Sequence, residues 1–193
     1  EKKKLKYTIA KGEGAFYGPK IDFKVKDALN RYWQLPTLQL DFQMPERFQL
    51  VYEGKDGKKH TPVMIHRAVL GSLERFIGIL IEHYSGKFPL WLAPVQVRLL
   101  TITDNNIKFA KQVYESMKES GIRVELDSRP DTISRKVRDA QLAKINYIIT
   151  LGEKEEKANT LAVRTLAGKV SLGVKLNSFI KDIKEKIENK DVR

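Results

Sequence analysis

Residues 87–94, KFPLWLAP, separate two stretches in which apolar residues repeat in different ways. Pro89, Trp91 and Pro94 stiffen this apolar segment, so it is expected to be a connector, with domains at 1–92 and 93–193. A chain of 193 residues is long enough for two such domains, each with its own core. Before the connector, short runs alternate strictly between apolar and polar residues; after it, apolar runs alternate with helical patterns.

The first stretch offers a short strand at LKYTI (5–9) and then GEGAFYGPK, where Gly12, Gly14 and Gly18 permit a shaped loop that lets backbone approach a ligand. Tyr17 and Lys20 flank its last glycine with a hydroxyl and a cation. IDFKVK places Ile21, Phe23 and Val25 on one side of a strand, and TLQLDFQM repeats the alternation after a turn or short helix at DALNRYW. The polar faces of these strands, with Gln34 and Gln39, either floor a pocket or are simply solvated. FQLVYE and HTPVMI read as a hairpin around Asp56-Gly57.

A helix follows, with Leu70, Leu73, Ile77, Leu80, Ile81 and Tyr84 on an expected core-facing stripe. A second stripe holds Gly71, Arg75, Gly78 and Glu82. Two glycines in a helix cost about 1 kcal/mol each, so they imply either room for a flat ligand beside Arg75 or close backbone packing. The helix is expected to stop at Ser85-Gly86.

The second stretch reads as βαβαβββα. VQVRLLTI, IRVEL and NYIITLG are strands, TLAVRT and KVSLGVKL follow as two more, and three amphipathic helices begin near Asp104, after Thr132 and near Asn177.

Charge narrows the partner. The formal net charge is +12, with six net positive charges on either side of position 92/93, so both halves present basic surface suited to a polyanion. Cysteine is absent, which excludes disulfides and thiolate chemistry within the chain. No apolar run is long enough to span a bilayer and no signal segment is visible, so a cytoplasmic location without membrane contact is expected.

The combination GEGAFYGPKIDF, WQLPTLQLDF and PVMIHRAVLGSLERFIGILIEHYSGKFPLWLAPVQV closely resembles the C-terminal part of the threonyl-tRNA synthetases, a family of class II aminoacyl-tRNA synthetases. The resemblance implies an α+β portion of a catalytic domain, an antiparallel sheet with the helix of the third class II signature, followed by an α/β anticodon-binding domain with a mixed sheet and three helices. It further implies Tyr17 and Gln39 at the threonine pocket, Gln34 and Ser72 near ATP, and Arg75 on adenine and the γ-phosphate. A guanidinium suits that role because it is planar, always charged and able both to stack and to bind phosphate. His66 matches the last of three zinc ligands, and Mg²⁺ is expected with ATP. His60 and His83 match no ligand position. Arg129, Glu155 and Arg164 match anticodon-reading positions, with Pro130 where better-known relatives carry asparagine, while Lys136, Arg138 and Lys144 are either phosphate contacts or solvated charges.

The first two class II signatures and the other two zinc ligands have no counterpart in this sequence. The expectation is therefore a C-terminal fragment, inactive alone, of a homodimeric threonine–tRNA ligase acting on ATP, L-threonine and tRNA-Thr. The competing readings are an accessory tRNA- or RNA-binding module without catalysis and, more weakly, an unrelated nucleotide-binding protein.

Overall fold

The computed structural model describes residues 6–191. They form two compact units, one ending at His83 and the other beginning at Tyr84.

The first unit is built on a three-stranded antiparallel sheet. Its strands and helices are β1 (Lys20–Lys26), β2 (Tyr32–Asp41), α1 (Gln43–Arg47), β3 (Tyr52–Glu53), β4 (Lys59–His60), β5 (Met64–Ala68) and α2 (Leu73–Tyr84). The sheet order is β1-β2-β5, with a register shift between Asp22 and Lys24, and β3-β4 is a separate hairpin over the Asp56-Gly57 turn. Residues 6–9 of the expected first strand are irregular, and Leu5 lies outside the described residues. Of the expected 48–53 strand only Tyr52 and Glu53 are extended; Phe48 and Gln49 form the turn after α1, and Leu50 and Val51 are irregular.

The alternation in β1 is present, but its apolar side is not covered. Ile21, Phe23 and Val25 are exposed, as is Ile65 on the same face through the pairings Ile21↔Leu38 and Leu40↔Ile65. The stripe on α2 also differs from expectation. Leu70, Leu73, Ile77 and Ile81 are exposed, and the half-buried side is Phe76, Ile79, Leu80 and Tyr84. Gly71 precedes the helix with φ +71°, and a Cβ there would lie 3.1 Å from the Leu35 carbonyl oxygen, so close backbone approach explains it. Gly78 is different: within the helix, a Cβ would meet nothing within 4 Å. The helix stops at Ser85 and Gly86, both at positive φ.

The second unit contains β6 (Val97–Thr101), a 3₁₀ turn at Asp104–Asn106, α3 (Ile107–Glu119), β7 (Val124–Asp127), α4 (Ile133–Leu142), β8 (Tyr147–Leu151), α5 (Glu153–Ala158), β9 (Leu161–Thr165), β10 (Val170–Val174) and α6 (Leu176–Glu188). The short α5, rich in glutamate and lysine, breaks the expected β-β-β run. The mixed sheet has the order β10-β9-β8-β6-β7, with β7, β6 and β8 parallel. Its larger core joins Val97, Leu99, Val113, Met117, Ile149, Leu151, Phe179 and Ile183, and on the other face Leu100 and Ile148 pack with Ala140 of α4 and Ile145.

Residues 84–94 are bound into this unit. Leu90 belongs to the larger core, Asn146 Nδ2 donates to the Phe88 carbonyl, and Gln96 Nε2 donates to that of Leu90. Arg123 donates to the carbonyls of Ala93 and Trp91 at 2.8 Å. Carbonyls that an irregular connector leaves without a ladder are thus satisfied by side chains.

Candidate functional site

In the first unit, the glycine loop is fastened to the end of β2. Phe42 N–H donates to the Tyr17 carbonyl and Leu40 N–H to that of Pro19. A side chain at Gly18 would overlap the Leu40 carbonyl, so only glycine allows this approach. The clasp sets the Tyr17 hydroxyl 2.5 Å from Gln39 Oε1, to which it donates.

Strand register brings in the next residue, because Gln39 pairs directly with His66 of β5. The Tyr17 and His66 rings lie edge to face with centroids 6.1 Å apart. His66 Nε2 is 2.9 Å from Asp41 Oδ2, and Asp41, 2% exposed, also accepts from the N–H groups of Gln43 and Met44. The Met44 amide foremost, then His66, holds the Asp41 carboxyl below its ordinary value despite burial. The alternation of TLQLDFQM puts Asp41 on the polar face with Gln39 but gives it no role; its position opposite Met64, beside His66, is visible only in the register.

The other expected residues of this unit form no hydrogen bond or ion pair with that group among the described residues. Gln34 is exposed and near Asp22, which accepts from Thr37 and pairs with Lys20 at 2.8 Å. Ser72 Oγ accepts from the Arg75 N–H at 3.4 Å, at the start of α2. The Arg75 guanidinium forms no hydrogen bond or ion pair among the described residues. His60 is taken up by Asp56.

No group of three or more His, Cys, Asp or Glu side chains able to hold a metal ion is found among the described residues. His66 can offer one ring nitrogen, Nδ1, with its other nitrogen oriented by a carboxylate, a common arrangement for a histidine ligand. One ligand is not a metal centre.

In the second unit the chain runs from β6 through α3 to β7 on one side, and from β7 through α4 to β8 on the other. The carboxyl ends of parallel strands at such a reversal are where open α/β sheets bind ligands. Arg129 follows β7 there, and Glu155 lies in the first turn of α5 after β8. Glu155 Oε2 accepts from the Gly152 N–H, closing the start of α5. Arg164 pairs across β9 with Ile148, near the opposite end of β8, and its Nη1 reaches the Gly168 carbonyl. No hydrogen bond or ion pair joins these three side chains among the described residues. Arg129 borders an open hollow of about 960 Å³ shared with Arg98, Lys111, Tyr114, Glu125 and Asp139.

Of the three possible phosphate contacts, Arg138 is exposed. Lys136 is 1% exposed with Nζ on the Thr101 carbonyl, and Lys144 Nζ donates to the Ser85 carbonyl. Lys136 in particular has no access to a phosphate.

Comparison with known proteins agrees with this division. Residues 2–84 match the family described as tRNA synthetase class II core domain (G, H, P, S and T), and residues 96–186 match the family described as anticodon binding domain. The two parts of the chain are thus similar to the core and anticodon-binding domains of class II tRNA synthetases. Within them its similarity is to threonine–tRNA ligases: 55% identity over 185 residues with that of Desulfatibacillum aliphaticivorans and 53% with that of Aquifex aeolicus. Each alignment covers 96% of this chain and 29% of the relative, so the chain spans under a third of these relatives' length. Among solved structures, the RNA binding domain of threonyl-tRNA synthetase from Cryptosporidium parvum Iowa II is similar, with TM-score 0.74, 40% identity and coverage of 91% of this chain and 44% of that one. A prolyl-tRNA synthetase from the same organism, at 20% identity and TM-score 0.69, shares the fold.

Proposed function

We propose that the chain supplies one wall of the amino-acid and ATP pocket, and the anticodon-reading lobe, of a threonine–tRNA ligase. The observation that carries the pocket is the group Tyr17, Gln39, His66 and Asp41, drawn from a loop and two strands onto one polar face. In the reaction a threonine carboxylate oxygen attacks the α-phosphorus of ATP and pyrophosphate leaves. A ribose hydroxyl of tRNA-Thr then attacks the adenylate carbonyl and AMP leaves.

Tyr17 and Gln39 line the threonine end, while Gln34 and Ser72 lie toward the nucleotide. The guanidinium of Arg75, which has no ion pair among the described residues, supplies positive charge where negative charge gathers on the phosphates, a load that Mg²⁺ bound with ATP would share. His66 would be one ligand of a zinc ion that grips the threonine amino and hydroxyl groups, the remaining donors coming from outside this chain. Arg129, Glu155 and Arg164 read the anticodon. The division of labour follows the two compact units, the first ending at His83 and the second beginning at Tyr84, rather than the expected 92/93 junction, in a cytoplasmic homodimer. No helix among the described residues is long and apolar enough to cross a membrane.

The test is pyrophosphate exchange with the full-length enzyme. Arg75→Ala should slow threonyl-adenylate formation by about 10²-fold or more, the scale seen when one charge-stabilising group is removed. An unchanged rate removes Arg75 from the site.

A further inference from the structure

Arg129 is gripped by two carboxylates. Its Nε donates to Asp127 Oδ1 at 2.9 Å and its Nη2 to Asp127 Oδ2 at 2.8 Å, and the same Nη2 reaches Asp139 Oδ2 at 3.0 Å. Asp127 ends β7 with its side chain only 9% exposed, so one edge of the guanidinium is anchored to the sheet while the arginine side chain stays 55% exposed. Nη1 forms no hydrogen bond among the described residues. It and the open planar faces are what Arg129 presents to the hollow it shares with Tyr114.

A second cation completes the group. Lys136, buried in α4, forms no ion pair among the described residues, and its charge acts on Asp127. Two cations and two carboxylates leave the cluster with no net charge. Such a cluster exerts little pull on phosphate, whose binding to proteins is driven by cations that displace condensed counterions. A fixed plane with one free N–H edge is instead suited to an unstacked base, where discrimination depends on hydrogen-bond geometry.

We propose that Asp139, together with Asp127, is a specificity-determining positioning residue that makes Arg129 a reader of base edges rather than a grip on phosphate. The base is one presenting acceptor atoms to Nη1. The proposal rests on the assignment of Arg129 to the anticodon made above and adds the device that sets its orientation and cancels its charge.

The experiment measures binding of the full chain to an unmodified tRNA-Thr transcript and to transcripts altered at single anticodon positions, across a salt series. For Asp139→Asn, discrimination between transcripts should fall about tenfold at one position, within the range carried by a well-placed hydrogen-bonding pair. The released charge should also steepen the slope of log affinity against log salt by about 0.7, the increment for one added phosphate contact on a single strand. Asp139→Glu should recover most of the discrimination. Both readouts are ratios taken on folded molecules, so a smaller folded fraction does not imitate them. If Arg129→Ala removes discrimination while Asp139→Asn leaves discrimination and slope unchanged, the positioning role is overturned and the Arg129 assignment stands. If Arg129→Ala discriminates as wild type does, the assignment itself fails and the positioning role goes with it.

Discussion

His66 Nε2 meets Asp41 Oδ2 at 2.9 Å, and that contact decides which edge of the imidazole faces outward. The same carboxylate receives the Gln43 and Met44 amides, so one buried side chain both orients the histidine and closes the start of α1. Asp41→Asn should therefore separate two effects. An amide oxygen still accepts from the backbone, but the carboxylate partner of the ring is gone. NMR of the imidazole should show a changed tautomer balance with only a small drop in Tm; an unaltered ring spectrum would mean that Asp41 does not set the histidine.

Gly18 and Gly78 should respond oppositely to alanine. At Gly18 a Cβ overlaps the Leu40 carbonyl, and forcing atoms into an occupied space typically costs about 1–3 kcal/mol. At Gly78 the space is open, and alanine should stabilise the helix by about 1 kcal/mol. In the full-length enzyme, however, Gly78→Ala should raise the KM for ATP if that open space admits the nucleotide. Urea denaturation and exchange kinetics read the two effects, and an unaffected KM would leave Gly78 without a ligand role.

Asp127 gives the second unit a dependence on acid. Arg129's hydrogen bonds hold its carboxyl below the ordinary value, outweighing partial burial, with further help from Lys136. A carboxyl depressed in the folded state adds its stability in full above the unfolded pKa near 4 and loses it as pH falls through the lower folded value. Urea midpoints of wild type and Asp127→Asn should differ most at neutral pH and converge once the pH falls below the lowered folded-state value. A gap that persists in acid would assign the loss to geometry instead of charge.

Lys136→Met tests the interior cation. The side chain has similar length, but the Thr101 carbonyl loses the donor that reaches it at 2.9 Å, and an unmet buried acceptor costs about 1–3 kcal/mol. Chemical denaturation should show that loss, and an unchanged stability would mean that the Thr101 carbonyl finds another donor.

The order of elements in the second unit was legible because continuous apolar strands and 3.6-residue helical stripes differ plainly, as in VQVRLLTI against the helix holding Val113 and Met117. The short α5 was not legible, since EKEEKA carries no apolar period. In the first unit, β1 and β2 could be read from alternation, but alternation says which residues share a face and not what covers it. Hence Ile21, Phe23 and Val25 read as core yet are exposed. Tyr17, Gln39 and His66 were marked by resemblance. The acids that organise the sites, Asp41 and Asp139, lie 25 and 10 positions from their partners and come into view only once strand register and helix placement are known. Lys136 read as either a phosphate contact or a solvated charge, and α4 turns it inward, away from both.

The fastening of Phe88, Leu90, Trp91 and Ala93 carries a practical lesson for anyone preparing the second unit by itself. A cut at the expected 92/93 junction would strip Leu90 from the hydrophobic interior and leave Asn146, Gln96 and Arg123 without most of the carbonyls they hold. Starting at Tyr84 keeps that seam intact, and the longer piece should be the one that expresses as a well-behaved, RNA-competent protein.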